Sequence, residues 1–229
     1  MKLTEFTSTL TAKVPAFGMA VEEFETKLNG QLIRPGDAAY EPARRLWNGR
    51  VDKYPALIAR CQTAEDVVLA VNFARDHNLT VAVRSGAHNS NGFATVNNGL
   101  VIDLTPMKGI VVNPDKRTAR AEPGLTFGEL SRALLPFGLA TTTGICAGTG
   151  ISGATLGGGA GWLMGKYGLA IDNVLSVELV TADGRLLKAS AAENSDLFWG
   201  LRGGGGNFGV VTAIKYQPHP LGQVLAGMV

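Results

Sequence analysis

The chain has 229 residues, 45% of them hydrophobic and 17% charged, a balance that supports a packed core and excludes an intrinsically disordered chain. Its net charge of +2, with no basic cluster interleaved with aromatics, argues against a nucleic-acid partner. No run approaches the ~20 uninterrupted apolar residues of a membrane span, and the first 24 residues lack the basic-then-apolar order of a signal peptide, so no membrane association and a cytoplasmic location are expected.

In chain order, residues 19–31 predict an amphipathic helix, with Val21, Phe24 and Leu28 near helical spacing. Residues 34–55 are turn-rich and include Trp47-Asn48-Gly49. A second helix is predicted from Thr63, whose hydroxyl and the Asp66 carboxylate form a capping-box start, with Val67, Val68, Val71 and Ala74 on one face and an end near His77-Asn78. Short β-type runs follow at 80–83, 100–104, 110–112 and 118–121, punctuated by glycine, proline or asparagine. Thr126 and Glu129 give a second capping box for a helix through Leu135. Residues 174–181 and 186–189 read as a hairpin about Ala182-Asp183-Gly184-Arg185, followed by a short helix over 193–201 and a strand over 208–216. The order predicts an α+β fold of two small subdomains split near residue 105. After Tyr216 the chain reads QPHPLGQVLAGMV, the opening of a further strand, from which a truncated chain is expected.

The chemistry-bearing signals are glycine runs. The 30 glycines crowd into 144–168 and 203–209, where the backbone must turn tightly or approach something closely. Val81-Ala82-Val83 leads into Arg84-Ser85-Gly86-Ala87-His88-Asn89-Ser90-Asn91-Gly92, which is either a polar surface turn or a way of presenting consecutive N–H groups to an anion. A Walker or Rossmann loop is excluded, because no Gly-Lys-Ser/Thr follows and no helix opens directly from the loop. The run Gly157-Gly158-Gly159-Ala160-Gly161 is too poor in helix propensity to stand alone, at ~1 kcal/mol per glycine relative to alanine, so it either packs two backbones tightly or receives a flat ligand. Cys61 and Cys146 make neither a disulfide framework nor a metal site, since no histidine lies at ligand spacing from either. The slight steric cover around Cys146 leaves its sulfur either able to reach a ligand or serving as a small hydrophobe. Together with the third run, Arg202 to Val211, the clusters argue for an extended, planar, phosphate-containing ligand.

The segments RSGAHNSNG, IDLTPM, GISGATLGGGAGWL, KYGLAIDNV, VTADGR and DLFWGLRGGGGNFGVVT, in order from about Asp37 to Pro220, resemble the FAD-binding domain of the berberine-bridge-enzyme-like oxidoreductases, within the vanillyl-alcohol-oxidase group. The resemblance implies a PCMH-type α+β domain of two subdomains, 37–105 and 106–220, with FAD between them, an N-terminal helical extension over 1–36, and the start of a substrate domain at 221–229. It implies that Arg84, Ser85, Gly86, Ala87, His88 and Asn89 cradle the pyrophosphate and that His88 is bonded to the flavin 8α carbon. Further cofactor contacts are implied for Gly92, Thr149, Gly150, Ser152, Gly153, Gly158, Gly161, Asp172, Gly209, Val210 and Val211, and a second flavin bond for Cys146. Ala87 stands where the family usually has glycine, and Ala147 where doubly bonded members usually have proline; Thr149 falls at a position that influences oxygen access. The implied reaction is hydride transfer from a C–H of a small molecule such as a sugar or alcohol to flavin N5. Dioxygen then reoxidises the flavin and a base removes an O–H or N–H proton. No residue is assigned as that base, which is expected in a C-terminal substrate domain. Two other readings stand beside it: an FAD-binding module that is inactive alone or needs a partner chain, and a flavin-free domain whose glycines serve packing.

Overall fold

The computed structural model describes residues 14–224. The expected N-terminal extension lies partly outside them, at residues 1–13, as does the end of the expected strand opening, at 225–229.

The first helix, α1 (Val14–Lys27), ends before the predicted boundary at residue 31. The difference has a tertiary cause: a side chain at Gly30 would meet the Arg60 backbone carbonyl, so the chain leaves the helix here and runs extended as β1 (Gln31–Ile33) beside β2 (Leu57–Arg60). A short helix, α2 (Tyr40–Arg44), interrupts the turn-rich segment. The third helix, α3 (Ala64–Asp76), starts at Thr63 with the predicted capping box and stops at His77. Asp66, wholly buried, also accepts from the N–H groups of Asn29 and Gln62 at 2.8 Å, which fastens the exit of α1 to the entry of α3.

Strands β3 (Val81–Arg84) and β4 (Leu100–Asp103) complete a four-stranded sheet in the order β1-β2-β4-β3, with β2, β4 and β3 parallel and β1 antiparallel at the edge. A second, antiparallel sheet follows from β5 (Ile110–Asn113), β6 (Thr118–Ala121), β8 (Val174–Val180), β9 (Leu186–Ser190) and β10 (Val210–Tyr216), in the order β5-β6-β10-β8-β9. The predicted hairpin is β8–β9, closed by the Val180–Leu186 pair. Between these strands lie α4 (Phe127–Leu134, capped by Thr126 and Glu129), a two-residue strand β7 (Leu139–Ala140), and α5 (Ile151–Leu156). Then come α6 (Met164–Tyr167) and α7 (Ser195–Leu201). A last strand, β11 (His219–Pro220), pairs with β7. The architecture is α+β, and no described helix is long and apolar enough to cross a membrane.

Two cores hold the sheets. One packs Phe127, Leu130 and Leu134 of α4 and Ile151 and Leu156 of α5 against Val177, Leu179, Val211, Ile214 and Tyr216 of the second sheet. Within it the Tyr216 hydroxyl meets Thr155 Oγ1 at 2.9 Å, and burial raises the Tyr216 pKa. The other joins Val21 and Phe24 of α1 and Val67, Val71 and Ala74 of α3 to Leu100 and Ile102 of the first sheet and to Val180 and Val210 of the second. Helix α3 therefore contacts both sheets, at β4 in the first and at β8 and β10 in the second.

Candidate functional site

The loop after β3 leaves the sheet at the C-terminal ends of three parallel strands, where open α/β sheets commonly bind ligands. Here Arg60, Arg84 and Asp103 are neighbours in register, and Arg60 Nε lies 3.5 Å from the buried Asp103 carboxylate. Two guanidiniums thus flank one buried carboxylate, leaving a surplus of positive charge beneath the loop. Arg84 donates through Nη1 to the Ala43 carbonyl, while its buried Nε has no hydrogen-bond partner among the described residues. Burial, with the Arg60 charge beside it, holds the Arg84 pKa below the usual arginine range, partly offset by Asp103.

Beyond Arg84 the loop turns onto the second glycine segment. The Ser85 hydroxyl donates to the Pro123 carbonyl at 2.6 Å, and the Ser152 hydroxyl reaches the same oxygen at 3.4 Å. Gly86 lies directly on Gly150: a Cβ built on Gly86 would sit 2.5 Å from Gly150 Cα, and one on Gly150 would sit 2.7 Å from Gly86 Cα. Both positions need glycine for this backbone-on-backbone contact. Ala87 carries φ +56°, the left-handed region that favours glycine. Among the described residues, the N–H groups of Gly86, Ala87, His88 and Asn89 donate to no acceptor within the chain. Consecutive backbone donors of this kind suit an anion, with the Gly86 nitrogen lying against Gly150.

His88 is half-buried, its ring stacked on Trp47 with centroids 5.4 Å apart and planes 19° apart. Its Nε2 edge faces Gly148, 4.0 Å from where a Cβ there would stand. Asn89 Oδ1 accepts from the Asn91 N–H at 2.9 Å, folding the loop back towards Gly92. Gly92 has φ +73° and rests on Val51.

The facing segment is pinned from below. Phe127 N–H donates to the Thr149 carbonyl at 2.9 Å, Gly128 N–H to Ala147 at 2.8 Å, and Ile151 N–H to Leu125 at 2.9 Å. Cys146, Ala147 and Gly148 are consequently held out to solvent on a fixed base, while Gly150 and Ser152 are buried. Gly153 in α5 is exposed and has open space where a side chain would go. Cys61, in contrast, is buried, and burial pushes its thiol pKa up.

Not every predicted site residue meets this cleft. Gly158 and Gly159 pack against the chain just before β8, their carbonyls accepting from Ile171 and Ala170 N–H groups at 3.0 and 2.9 Å. A Cβ on Gly161 would stand 2.7 Å from the Thr143 carbonyl carbon. Close packing against Ala170 and Thr143, with the positive φ of Gly158 and Gly159, accounts for the glycines at 158, 159 and 161. Asp172 accepts from Leu169 N–H at 2.9 Å and from Arg202 at 3.1 Å. Gly209 has φ +149° and lies against the Val180 carbonyl, and Val210 and Val211 are buried side chains of β10 paired with Val180 and Leu179. Arg60, Asp103, Val51 and Pro123 were not singled out in the sequence, and Trp47 only as part of a turn-rich stretch. Only the tryptophan carried a signal, as a large aromatic in a polar, turn-rich stretch.

A family described as FAD binding domain matches residues 55–190. The chain belongs to it. Within this family the chain is similar to (R)-6-hydroxynicotine oxidase of Paenarthrobacter nicotinovorans, at 42% identity over 88% of this chain and 44% of the relative. Carbohydrate oxidase from Microdochium nivale superimposes with TM-score 0.82 at 38% identity, covering 88% of this chain and 43% of that one. The berberine-bridge-enzyme-like protein 1 of Physcomitrella patens does so with TM-score 0.82 at 31% identity, covering 86% and 44%. The chain thus spans less than half the length of these relatives and corresponds to the FAD-binding portion of berberine-bridge-enzyme-like FAD-linked oxidoreductases. The free N–H row at 86–89, the cationic floor and the bare surface at Gly148 and Gly153 fit a dinucleotide with a planar ring.

Proposed function

We propose that this FAD-binding domain carries its flavin covalently and is the cofactor half of an oxidase for small organic substrates. The observation that supports it most is the meeting of the two loops: Gly86 rests on Gly150, and the Nε2 edge of His88, on the loop that carries the free donors at 86–89, faces Gly148. In this reading the N–H groups of residues 86–89 hold the pyrophosphate, and the guanidiniums of Arg84 and Arg60 balance its charge. The His88 imidazole forms a bond to the 8α carbon of the isoalloxazine. One methyl hydrogen and the imidazole N–H proton leave, and the two electrons released pass to dioxygen, giving hydrogen peroxide. Cys146, exposed two residues from Gly148, would form a second bond to the ring. Thr149 borders the path by which dioxygen reaches it.

When bound, flavin accepts a hydride from substrate and returns the electrons to dioxygen. The chain's own contribution is to hold it rigid and to screen its phosphates. The named relatives oxidise 6-hydroxynicotine and carbohydrate, and an alcohol, sugar or amine C–H donor is the class proposed here. Because the chain spans 44% of the first relative's length, substrate contacts and the base are assigned to the remainder of that fold, supplied by continuing chain or by a partner.

The test is the visible spectrum of protein made in a flavin-replete host, before and after acid precipitation, followed by peroxide release with sugars and alcohols. Flavin bands that stay with the pellet support the reading. A yellow supernatant over a white pellet leaves a non-covalent binder, and colourless protein throughout overturns the proposal. Peroxide release separates an active chain from a binding module.

A further inference from the structure

The segment preceding β2 runs beside the His88 loop and is fastened to it on both sides of the histidine. Arg84 reaches the Ala43 carbonyl at the loop's start. The Trp47 N–H donates to the Ala87 carbonyl at 3.4 Å, and the Asn48 amide donates to the Ser90 carbonyl at 2.8 Å. Lys53 Nζ donates to the Gly92 carbonyl at 3.0 Å, and Val51 fills the space that the missing side chain of Gly92 leaves. These ties are backbone contacts or come from neighbours of Trp47, so they survive a change in its side chain. What the indole itself does is stack on the imidazole while remaining 69% exposed. It is not a core residue, and packing does not account for it.

Resting on the reading that His88 bonds the flavin, we propose that Trp47 is the positioning residue for that bond. The imidazole hangs from a loop whose tip carries no side-chain bulk at Gly86 and little at Ala87, so the loop alone leaves the ring free to turn about χ1 and χ2. The indole covers one face of the ring and limits that rotation, keeping the Nε2 edge towards Gly148. Stacked aromatic rings hold one another beyond simple burial, and near-attack geometry for bond formation is sensitive to displacements of about 1 Å. The indole stacks on the His88 ring, while the ties that hold the loop's backbone come from other groups, so its effect falls on the attachment step and not on retention of the cofactor.

The experiment uses this chain prepared flavin-free under riboflavin limitation and then given FAD. Covalent incorporation is followed by flavin fluorescence in denaturing gels and total bound flavin by absorbance after gel filtration. Wild type, Trp47→Ala, Trp47→Leu, Trp47→Phe and His88→Ala are compared. For Trp47→Ala and Trp47→Leu the covalent rate is expected to fall about tenfold, a loss of the size that misalignment of reacting groups produces, with total flavin within about twofold of wild type. Trp47→Phe, which keeps a stacking ring, restores most of the rate. An undiminished rate in Trp47→Ala overturns the proposal, as does a parallel loss of covalent and total flavin, which a loosened loop would give. If wild type binds FAD but never attaches it, the His88 reading fails and this one with it. Covalent wild type with indifferent Trp47 variants refutes the positioning role alone.

Discussion

The contact between Gly86 and Gly150 makes a quantitative prediction when it is set against a second glycine of the same site. In Gly86→Ala the new Cβ would stand 2.5 Å from Gly150 Cα, where ordinary contact begins at 3.4 Å, and the obstacle is backbone that cannot rotate away. Overpacking of this kind costs about 1–3 kcal/mol. For a chain of this size each kcal/mol moves Tm by roughly 2–4 °C, so Gly86→Ala is expected to unfold roughly 2–12 °C below wild type. In Gly153→Ala the Cβ meets open space within α5, and the gain in helix propensity is about 1 kcal/mol. That variant should unfold a few degrees higher when flavin-free. The same substitution therefore acts with opposite sign at Gly86, which rests on Gly150, and at Gly153, three residues beyond Gly150 in the first turn of α5. Scanning calorimetry on the flavin-free variants reads both. Equal Tm values for Gly86→Ala and wild type would show that the two loops do not meet as described. If flavin lies on the bare surface at Gly153, the stabilised variant should also bind FAD less tightly than wild type in equilibrium titration.

Four further outcomes are expected. Ala87, at φ +56°, should accept glycine within about 0.5 kcal/mol, because relief of left-handed strain and loss of chain stiffness oppose one another, whereas Ala87→Val should lose about 2 kcal/mol in chemical denaturation. Tyr216→Phe strands the buried Thr155 hydroxyl and should cost about 1–3 kcal/mol, with the added change Thr155→Val recovering part of it in a double-mutant cycle. His219, stacked on Tyr167 and bonded to Asn173 Oδ1, has its pKa lowered by burial and then by Arg117, so the fold favours the neutral ring. Its contribution is present above the unfolded value of about 6.5 and is lost as pH falls through the lower folded value. As the pH falls from about 6.5 to the lower folded value, the melting temperature of wild type should drop more steeply than that of His219→Gln. Finally, iodoacetamide should label exposed Cys146 in the folded, flavin-free chain and leave buried Cys61 until unfolding; equal labelling rates would contradict the burial of Cys61.

The parts of this fold that were readable in the sequence are those whose cause is local. The capping boxes at Thr63–Asp66 and Thr126–Glu129 announced α3 and α4 because cap hydrogen bonds join residues three apart. The β8–β9 hairpin was readable through its turn. The strand β2 was not, since Leu57, Ile58 and Ala59 are all buried and leave no alternating pattern. The early end of α1 depends on Arg60, thirty positions away from Gly30. At the site, sequence pointed to the loop 84–92 and to the segment around Cys146–Ser152, which the fold brings face to face. It could not separate glycines with open space, such as Gly153, from those filled by distant parts of the chain, such as Gly159 and Gly161, because that distinction lies in contacts with Ala170 and Thr143. Val210 and Val211 were named with the site and are core residues of β10, buried by the strand pairing that follows Gly209. The stack of Trp47 on His88 joins residues about forty positions apart and left no local trace.

The most direct test of the account is the mass of the proteolytic peptide that contains His88, taken from protein denatured in acid. The His88 peptide is expected to be heavier by one FAD less two hydrogens, with fragmentation placing the adduct on His88, and unmodified, with released flavin, in His88→Ala. An unmodified His88 peptide from a yellow wild-type protein, or an adduct on another residue that persists in His88→Ala, would contradict it.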